Sequence, residues 1–390
     1  MTDYQIEKYP AALRRGSFII GYLGNVIIDY FGDGKKFNAH ITYYNETEPL
    51  GTAGALFQIQ DDLEDSFLLI NGDILFDIDF NRLIEFHNKS NSLATLVSHP
   101  NSHPYDSGIL ITDNDYRVIN WLSKEDERLY YHNLVNAGIH VLTKELLAKT
   151  ELPSLREGLG EGSADLDRDI LKPALQSNRI YAYKTPEYIK DMGTPERLRE
   201  VEKDITSGLV KAKSLKQSQK AIFLDRDGVI NKEHGFITKP DDFDLIDGVA
   251  EAIRQINISG YLAIVVTNQP VIARGDCTLE ELDLIHQKME TELGKEGAYI
   301  DALYFCPHHP DKGFPGERPE YKINCNCRKP KPGMLLQAAK DFNIDLKQSW
   351  MIGDSDRDMQ AGIAAGCKTA KIGQDYQRLV EFVSCLSFTI

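Results

Sequence analysis

The feature that most constrains the fold is the stretch 221–231, which reads Ala-Ile-Phe-Leu-Asp-Arg-Asp-Gly-Val-Ile-Asn. An apolar run too short for a helix, ending abruptly in two carboxylates and a glycine, predicts a buried strand that delivers Asp225 and Asp227 into a loop. Two aspartates at i and i+2 can face one site without sharing a proton. The first can attack an electrophile while the second handles protons for the leaving group and for water. A carboxylate nucleophile suits phosphorus, because the resulting aspartyl phosphate can be cleared by water. Taken alone, the pair reads equally well as a plain Asp-Gly turn.

Three later segments weigh against the plain turn. A second β-type run, 261–267, ends in Thr267, Asn268 and Gln269, where a hydroxyl and free backbone N–H groups can hold a phosphoryl oxygen. Arg328 and Lys329 supply fixed positive charge just before Pro330. A short strand over 349–352 opens into Gly353-Asp354-Ser355-Asp356-Arg357-Asp358. In an open parallel sheet ligands sit outside the carboxyl ends of the strands, so all four segments are expected to converge on one crevice.

Asp-x-Asp-Gly-Val, the strand-end Thr267, Lys329 and Gly-Asp-x-x-x-Asp, in this order, resemble the four motifs of the haloacid dehalogenase superfamily of phosphatases. The resemblance implies Asp225 as nucleophile, Asp227 as general acid/base, and Thr267 and Lys329 as holders of the transferring phosphoryl group. It also implies Mg²⁺ on Asp354, the Asp225 carboxylate and the Asp227 backbone carbonyl, with Asp358 supporting that shell. An all-oxygen site suits magnesium.

The chain's 390 residues suggest two domains, and 42% hydrophobic with 26% charged residues is ordinary for a globular protein. A net charge of −15 argues against nucleic acid as a partner. No apolar run is long enough to span a bilayer and the N-terminus lacks a signal peptide's apolar core, so a cytoplasmic protein without a membrane partner is expected. All six cysteines lie at or beyond Cys277. Cys306 and His308, then sixteen residues, then Cys325 and Cys327 form a Cys3His set, and in a reducing compartment such clustering favours zinc over a disulfide. A long Pro- and Gly-rich loop needs something to hold it, so the zinc is expected to be structural. His309 is a weaker ligand candidate, and Cys277, Cys367 and Cys385 have no partner spacing.

Before residue 210, β-type runs at 41–44, 67–70, 94–97, 108–111, 137–142 and 180–183 alternate with helical patterns such as 80–90 and 144–149. Such alternation predicts an α/β sheet with a mixed edge. Gly51, Thr52 and Gly54 form a glycine loop ahead of a helix starting near Ala53, and an apolar strand ends in Asn71-Gly72-Asp73. Together with Asn136-Ala137-Gly138-Ile139 and the segment 191–196, these residues resemble the sugar-1-phosphate nucleotidyltransferases, the heptose-1-phosphate guanylyltransferases in particular. The resemblance implies that the segment 51–54 lines a nucleotide pocket, that Asp73 and Asp191 hold Mg²⁺, and that Asn136 to Gly138 lie beside a sugar. Two features of that family are missing. Its opening glycine-rich loop and the Lys-Pro pair after it do not occur before Phe18, where Arg14 and Arg15 have no glycine context. Its Glu-Lys-Pro sugar contact appears only as Ser123-Lys124-Glu125. Truncation at the N-terminus, some uncovered apolar surface over 18–28 and weak nucleotidyl transfer are therefore expected.

The polar, basic stretch 211–220 reads as a linker between a domain over 1–210 and another over 221–390. The zinc loop running into Arg328-Lys329-Pro330-Lys331-Pro332-Gly333-Met334, with Ile272-Ala273-Arg274-Gly275, resembles the D-glycero-D-manno-heptose 1,7-bisphosphate 7-phosphatases. That resemblance adds Asn268, Arg274 and Arg328 to the groups expected around a sugar phosphate. Gln269-Pro270-Val271 stands where that family has Gln-Ser-Gly, so a stiffer or reshaped substrate loop is expected. Both resemblances concern heptose activation for lipopolysaccharide, with a small sugar phosphate as ligand and a nucleotide as a second. Histidinol-phosphate phosphatase, an active guanylyltransferase, and an N-terminal half that only binds or oligomerises are the competing readings.

Overall fold

The computed structural model describes residues 14–151, 163–313 and 315–386. Among the described residues fifteen strands run β1 (Arg15–Ile20), β2 (His40–Asn45), β3 (Ser66–Ile70), β4 (Ile74–Asp77), β5 (Ala94–His99), β6 (Ile109–Thr112), β7 (Val118–Leu122), β8 (Val135–Thr143), β9 (Ile180–Lys184), β10 (Tyr188–Asp191), β11 (Lys220–Leu224), β12 (Tyr261–Asn268), β13 (Ala302–Cys306), β14 (Trp350–Gly353) and β15 (Lys368–Lys371). The C-terminal sheet has the order β13-β12-β11-β14-β15, and every pairing in it is parallel. Helices Val249–Asn257, Leu279–Lys295, Gly333–Phe342 and Asp356–Ala365 make the crossovers. With helices on both faces, its central strands are apolar on both sides rather than alternating. Leu262, Ala263, Ile264, Val265 and Val266 of β12 are all fully buried, so Ile264→Ala would cost roughly 2–5 kcal/mol.

The N-terminal half carries the expected mixed sheet, ordered β7-β6-β8-β5-β9 with β3 added against β8; only β5–β9 is parallel in it. Two small sheets accompany it, β1 with β2 in parallel and β4 with β10 antiparallel. Tyr22, Leu23 and Val26, at and after the end of β1, are among the most exposed large apolar side chains. The expectation about the first residues rests on 1–13, which lie outside the described residues.

The stretch 211–220 looks like a solvated linker in sequence, but Lys213, Ser214, Leu215 and Gln219 are all buried. The reason is that both halves claim its backbone. Glu187 Oε1 accepts from Leu215 N at 2.9 Å and from Asp79 N at 2.8 Å, while Asn343 Nδ2 donates to Leu215 O at 3.1 Å and to Gln217 O at 3.0 Å. A polar stretch can be buried when its polar groups are all bonded.

Candidate active site and metal clusters

β11 ends at Leu224 and the chain turns at once through Asp225, Arg226, Asp227 and Gly228. Gly228 has φ +77, and a Cβ there would lie 2.0 Å from Asp354 Oδ2, so only glycine lets the loop after β14 close on the loop after β11. Asp225, Asp354 and Asp358 thereby bring carboxylate oxygens within 4.8 Å of one another. Lys329 Nζ, buried, forms ion pairs with Asp225 Oδ2 at 2.9 Å and Asp358 Oδ1 at 2.6 Å. The other oxygen of Asp358 accepts from Ser355 N and Oγ, closing the cap of helix Asp356–Ala365.

Burial pushes the Asp225 carboxyl up to about 7 against the pull of Lys329, with Asp358 and Asp227 adding to the rise. Burial and then Asp358 raise Asp354 as well. For Asp358 burial acts upward too, but the Lys329 ion pair and the Ser355 bonds outweigh it and the net shift is down. Carboxyls raised by burial and mutual repulsion, all offering oxygen, are the environment a hard divalent cation stabilises.

Thr267, buried at the end of β12, accepts from Gln269 Nε2 at 2.9 Å, and the same amide donates to Asp227 Oδ2 at 2.8 Å. Asn268 does not face outward. Its side chain exchanges two hydrogen bonds with the Lys329 backbone, each 3.0 Å, and so fixes the lysine over the carboxylates. Pro270 opens the short helix Val271–Arg274, where a missing N–H costs nothing. Arg274 stacks on Phe236 with 4.6 Å to the ring centre and pairs with Asp276 at 3.1 Å; Arg328 donates to His308 O at 3.2 Å. Arg328 thus binds the cysteine loop, and Arg274 ends the helix Val271–Arg274, whose Ala273 O accepts from Arg318 N of that loop.

In that loop Cys306, His308, Cys325 and Cys327 converge. Their sulfurs lie 3.4, 3.3 and 3.1 Å apart, and His308 Nδ1 is 3.4 Å from Cys327 and 3.7 Å from Cys306. The sulfurs are too far apart for disulfides and all are free thiols. Four soft ligand atoms on the corners of a small tetrahedron suit zinc. His309 is not in the group.

In the N-terminal half a cavity of about 890 Å³ is lined by Asp73, Asn136, Gly138 and Asp191 among others. Gly138, at φ +67, lets Asn71 pack against the loop. Asp191 Oδ1 is occupied by Gly193 N at 2.9 Å and by Arg197 at 2.8 Å. Gly51, Thr52 and Gly54 do not line this cavity. They are stitched to the segment after residue 162: Ala53 N donates to Ala164 O at 2.9 Å and Thr52 Oγ1 accepts from Leu166 N at 2.8 Å.

Residues 13–208 match the nucleotidyl transferase family model, and residues 326–378 match the HAD-hydrolase-like one. A D-glycero-beta-D-manno-heptose-1,7-bisphosphate 7-phosphatase from Yersinia pestis is 47% identical over 153 residues, 39% of this chain and 79% of that protein. The chain belongs to the nucleotidyl transferases and to the haloacid dehalogenase-like phosphatases. The phosphatase part is also similar to the magnesium- and phosphate-bound D,D-heptose 1,7-bisphosphate phosphatase of B. bronchiseptica, at 32% identity over 43% of this chain and 97% of that one, TM-score 0.37. The transferase part is similar to HddC from Yersinia pseudotuberculosis, at 23% identity over 50% of this chain and 80% of that one, TM-score 0.41.

Two residues beside the candidate site carry no signal in the sequence. Arg226 lies between the aspartates and reads as a surface residue of a turn, yet it is buried and bonded to Asp227. Its neighbour His286 lies sixty residues on in a helix, with no local pattern to mark it.

Proposed function

We propose that the C-terminal half removes the 7-phosphate of D-glycero-D-manno-heptose 1,7-bisphosphate through an aspartyl phosphate on Asp225, in the making of nucleotide-activated heptose. The observation that carries this reading is the buried Lys329 held between Asp225 and Asp358 at the strand ends, beside Asp354 and Asp227. The names of the curated relatives support the substrate.

Asp225 forms a bond to phosphorus as the bond to the sugar oxygen breaks, and Asp227 gives that oxygen its proton. Asp227, now a carboxylate, takes a proton from the water that attacks the aspartyl phosphate, releasing inorganic phosphate and restoring both acids. Lys329 and Thr267 hold the phosphoryl oxygens throughout. Asp225, Asp354 and the Asp227 carbonyl would hold Mg²⁺, with Asp358 in support; when bound it supplies neutralisation of the charge on the transferring group. Zn²⁺ on Cys306, His308, Cys325 and Cys327 would be structural, since four protein ligands leave no open position. A cytoplasmic setting keeps those thiols reduced.

The test is phosphate release from both heptose 1,7-bisphosphate anomers, histidinol phosphate and simple sugar phosphates. A bisphosphate anomer should lead in kcat/KM by roughly tenfold or more, a difference that contacts to a second phosphate can supply. Histidinol phosphate as best substrate would overturn the assignment.

For the N-terminal half we propose binding of a sugar phosphate or nucleotide with poor nucleotidyl transfer. Asp191 is already paired with Arg197, and the Ala53 amide and the Thr52 hydroxyl of the glycine loop are engaged by residues 164–166. Transfer needs donors and metal ligands free around the triphosphate beforehand. Robust formation of nucleotide sugar from heptose 1-phosphate with GTP or ATP would refute this.

A further inference from the structure

Behind the reacting face lies a charged arrangement that the mechanism above does not use. The Arg226 side chain is fully buried, and its guanidinium grips Asp227 through Nε–Oδ1 at 3.1 Å, Nη2–Oδ1 at 2.8 Å and Nη2–Oδ2 at 3.0 Å. Among the described residues Asp227 is its one ion-pair partner. A guanidinium cannot shed its proton, so burying it needs acceptors, and the two Asp227 oxygens supply them. Asn231 Nδ2 at 3.1 Å and Gln269 Nε2 at 2.8 Å complete a cage around Asp227.

The free side of the guanidinium, Nη1, faces Nε2 of buried His286 at 3.4 Å. Burial, and then the arginine, hold the His286 ring well below its ordinary range, which leaves Nε2 able to accept from Arg226. His286 projects from helix Leu279–Lys295, and the same stripe of that helix carries Asp283 and Glu290. Those two carboxylates clasp His132 of the N-terminal half, Oδ1 of Asp283 at 2.9 Å from Nε2 and Oε1 of Glu290 at 2.9 Å from Nδ1. Asn133 N donates to Glu290 Oε2 at 2.7 Å, and Thr291 Oγ1 accepts from Tyr131 N at 2.9 Å.

We propose that Arg226 and His286 are positioning residues for Asp227, and that residues 131–133 of the N-terminal half brace them through helix Leu279–Lys295. An acid/base that donates in one step and accepts in the next must keep its carboxyl at the leaving oxygen in both. A short aspartate on a turn has two free torsions, and a forked donor fixes both oxygens in one plane. His286 in turn fills the remaining side of the fork and keeps the guanidinium from rotating away. The same contacts give the transferase-like half a role in phosphate release that requires no transfer activity of its own.

This inference rests on the phosphatase reading, and the test separates the two. Turnover is measured in the full chain on an aryl phosphate, whose leaving group needs little protonation, and on an alkyl sugar phosphate, whose leaving group needs it. Arg226→Met should lose ~100-fold on the sugar phosphate, within the range for removing an acid/base, and several-fold less on the aryl one. Arg226→Met combined with Asp227→Asn should be no slower than Asp227→Asn alone, because groups acting through one another are not additive. His286→Gln, which keeps an acceptor for Nη1, should stay within about threefold of wild type, while His286→Leu and His132→Ala show the same leaving-group signature at roughly 3- to 10-fold. Melting curves identify any variant that fails to fold, and Arg226→Lys and His286→Leu then carry the comparison. Equal losses on both substrates, or an additive double variant, would overturn the inference. A wild-type chain inert on both would instead refute the phosphatase reading and take this inference with it.

Discussion

Asp225 occupies a place where a carboxylate is held against its own preference: burial and two neighbouring acids push it up to about 7 against the pull of Lys329. A nucleophile in such a place is matched to a cation and a phosphoryl group, and its replacement should be severe. Asp225→Asn keeps the shape and removes the nucleophilic charge, so phosphate release should fall by roughly 10³-fold or more, the scale of loss when one member of a catalytic unit is removed. A variant keeping a tenth of wild-type turnover in a phosphate-release assay would rule out the aspartyl phosphate. At this scale the sequence was informative wherever a residue's neighbours in the chain are also its neighbours in space, as for Asp225, Asp227 and the Asp354–Asp358 turn. It was silent for Arg226 and His286, whose meaning lies in a contact across sixty residues. Asn268 was expected beside a sugar phosphate; its two hydrogen bonds to the Lys329 backbone were not legible.

Elements followed the same division. The strands 67–70, 94–97, 137–142 and 180–183 were readable as short β-type runs, and β3, β5, β8 and β9 match them to within two residues at each end. β4, β10 and β15 have four residues apiece and mix polar with apolar positions, so their pairing is a product of tertiary context. The cysteine loop was legible from ligand spacing, and its three sulfurs lie within 3.4 Å of each other, the closeness on which the zinc proposal rests. Freshly purified protein should carry about one zinc per chain by metal analysis, held by the Cys3His cluster found among the described residues. Cys325→Ser should lower the melting temperature; zinc-free protein prepared without chelators would end the proposal. The clasp on helix Leu279–Lys295 makes a pH prediction. Burial opposes the charged ring of His132, but Glu290 and Asp283 outweigh it and raise His132 to about 10, above its unfolded value near 6.5. A raised histidine contributes stability that is fully present below the unfolded value and is lost as pH rises toward and through 10. The melting-temperature gap between wild type and His132→Gln should therefore be widest near pH 6 and close by about pH 10. A gap that widens with pH would contradict the clasp.

At the scale of the whole molecule, the two sites face different ways. The carboxylate cluster stands at the carboxyl ends of the five parallel strands, whereas the cavity holding Asp73 and Asp191 reaches Ile258, Tyr299 and Asp301, which precede β12 and β13 at the opposite ends. A product of one site must leave it to reach the other, so what unites the halves is mechanical. Glu187 of the N-terminal half holds Leu215, Asn343 of the C-terminal half holds Leu215 and Gln217, and Arg82 donates to Asp341 O at 2.7 Å. Unfolding either half would take from polar groups of the other, among them Glu187 and Glu290, their protein partners, a loss of about 1–3 kcal/mol for each charged hydrogen bond. Such a penalty couples the halves even though multidomain chains often unfold in steps. The chain provides its own reporters, since its two tryptophans are Trp121 in β7 and Trp350 in β14. In Trp350→Phe and Trp121→Phe, each left with a single tryptophan, the fluorescence transition in guanidinium should superpose on the circular dichroism transition, with midpoints within about 0.2 M, inside the error of such curves. A fluorescence midpoint displaced by about 0.5 M or more from that of the whole chain would mean that one half unfolds without the other, and that the buried junction at 213–219 joins two independent bodies.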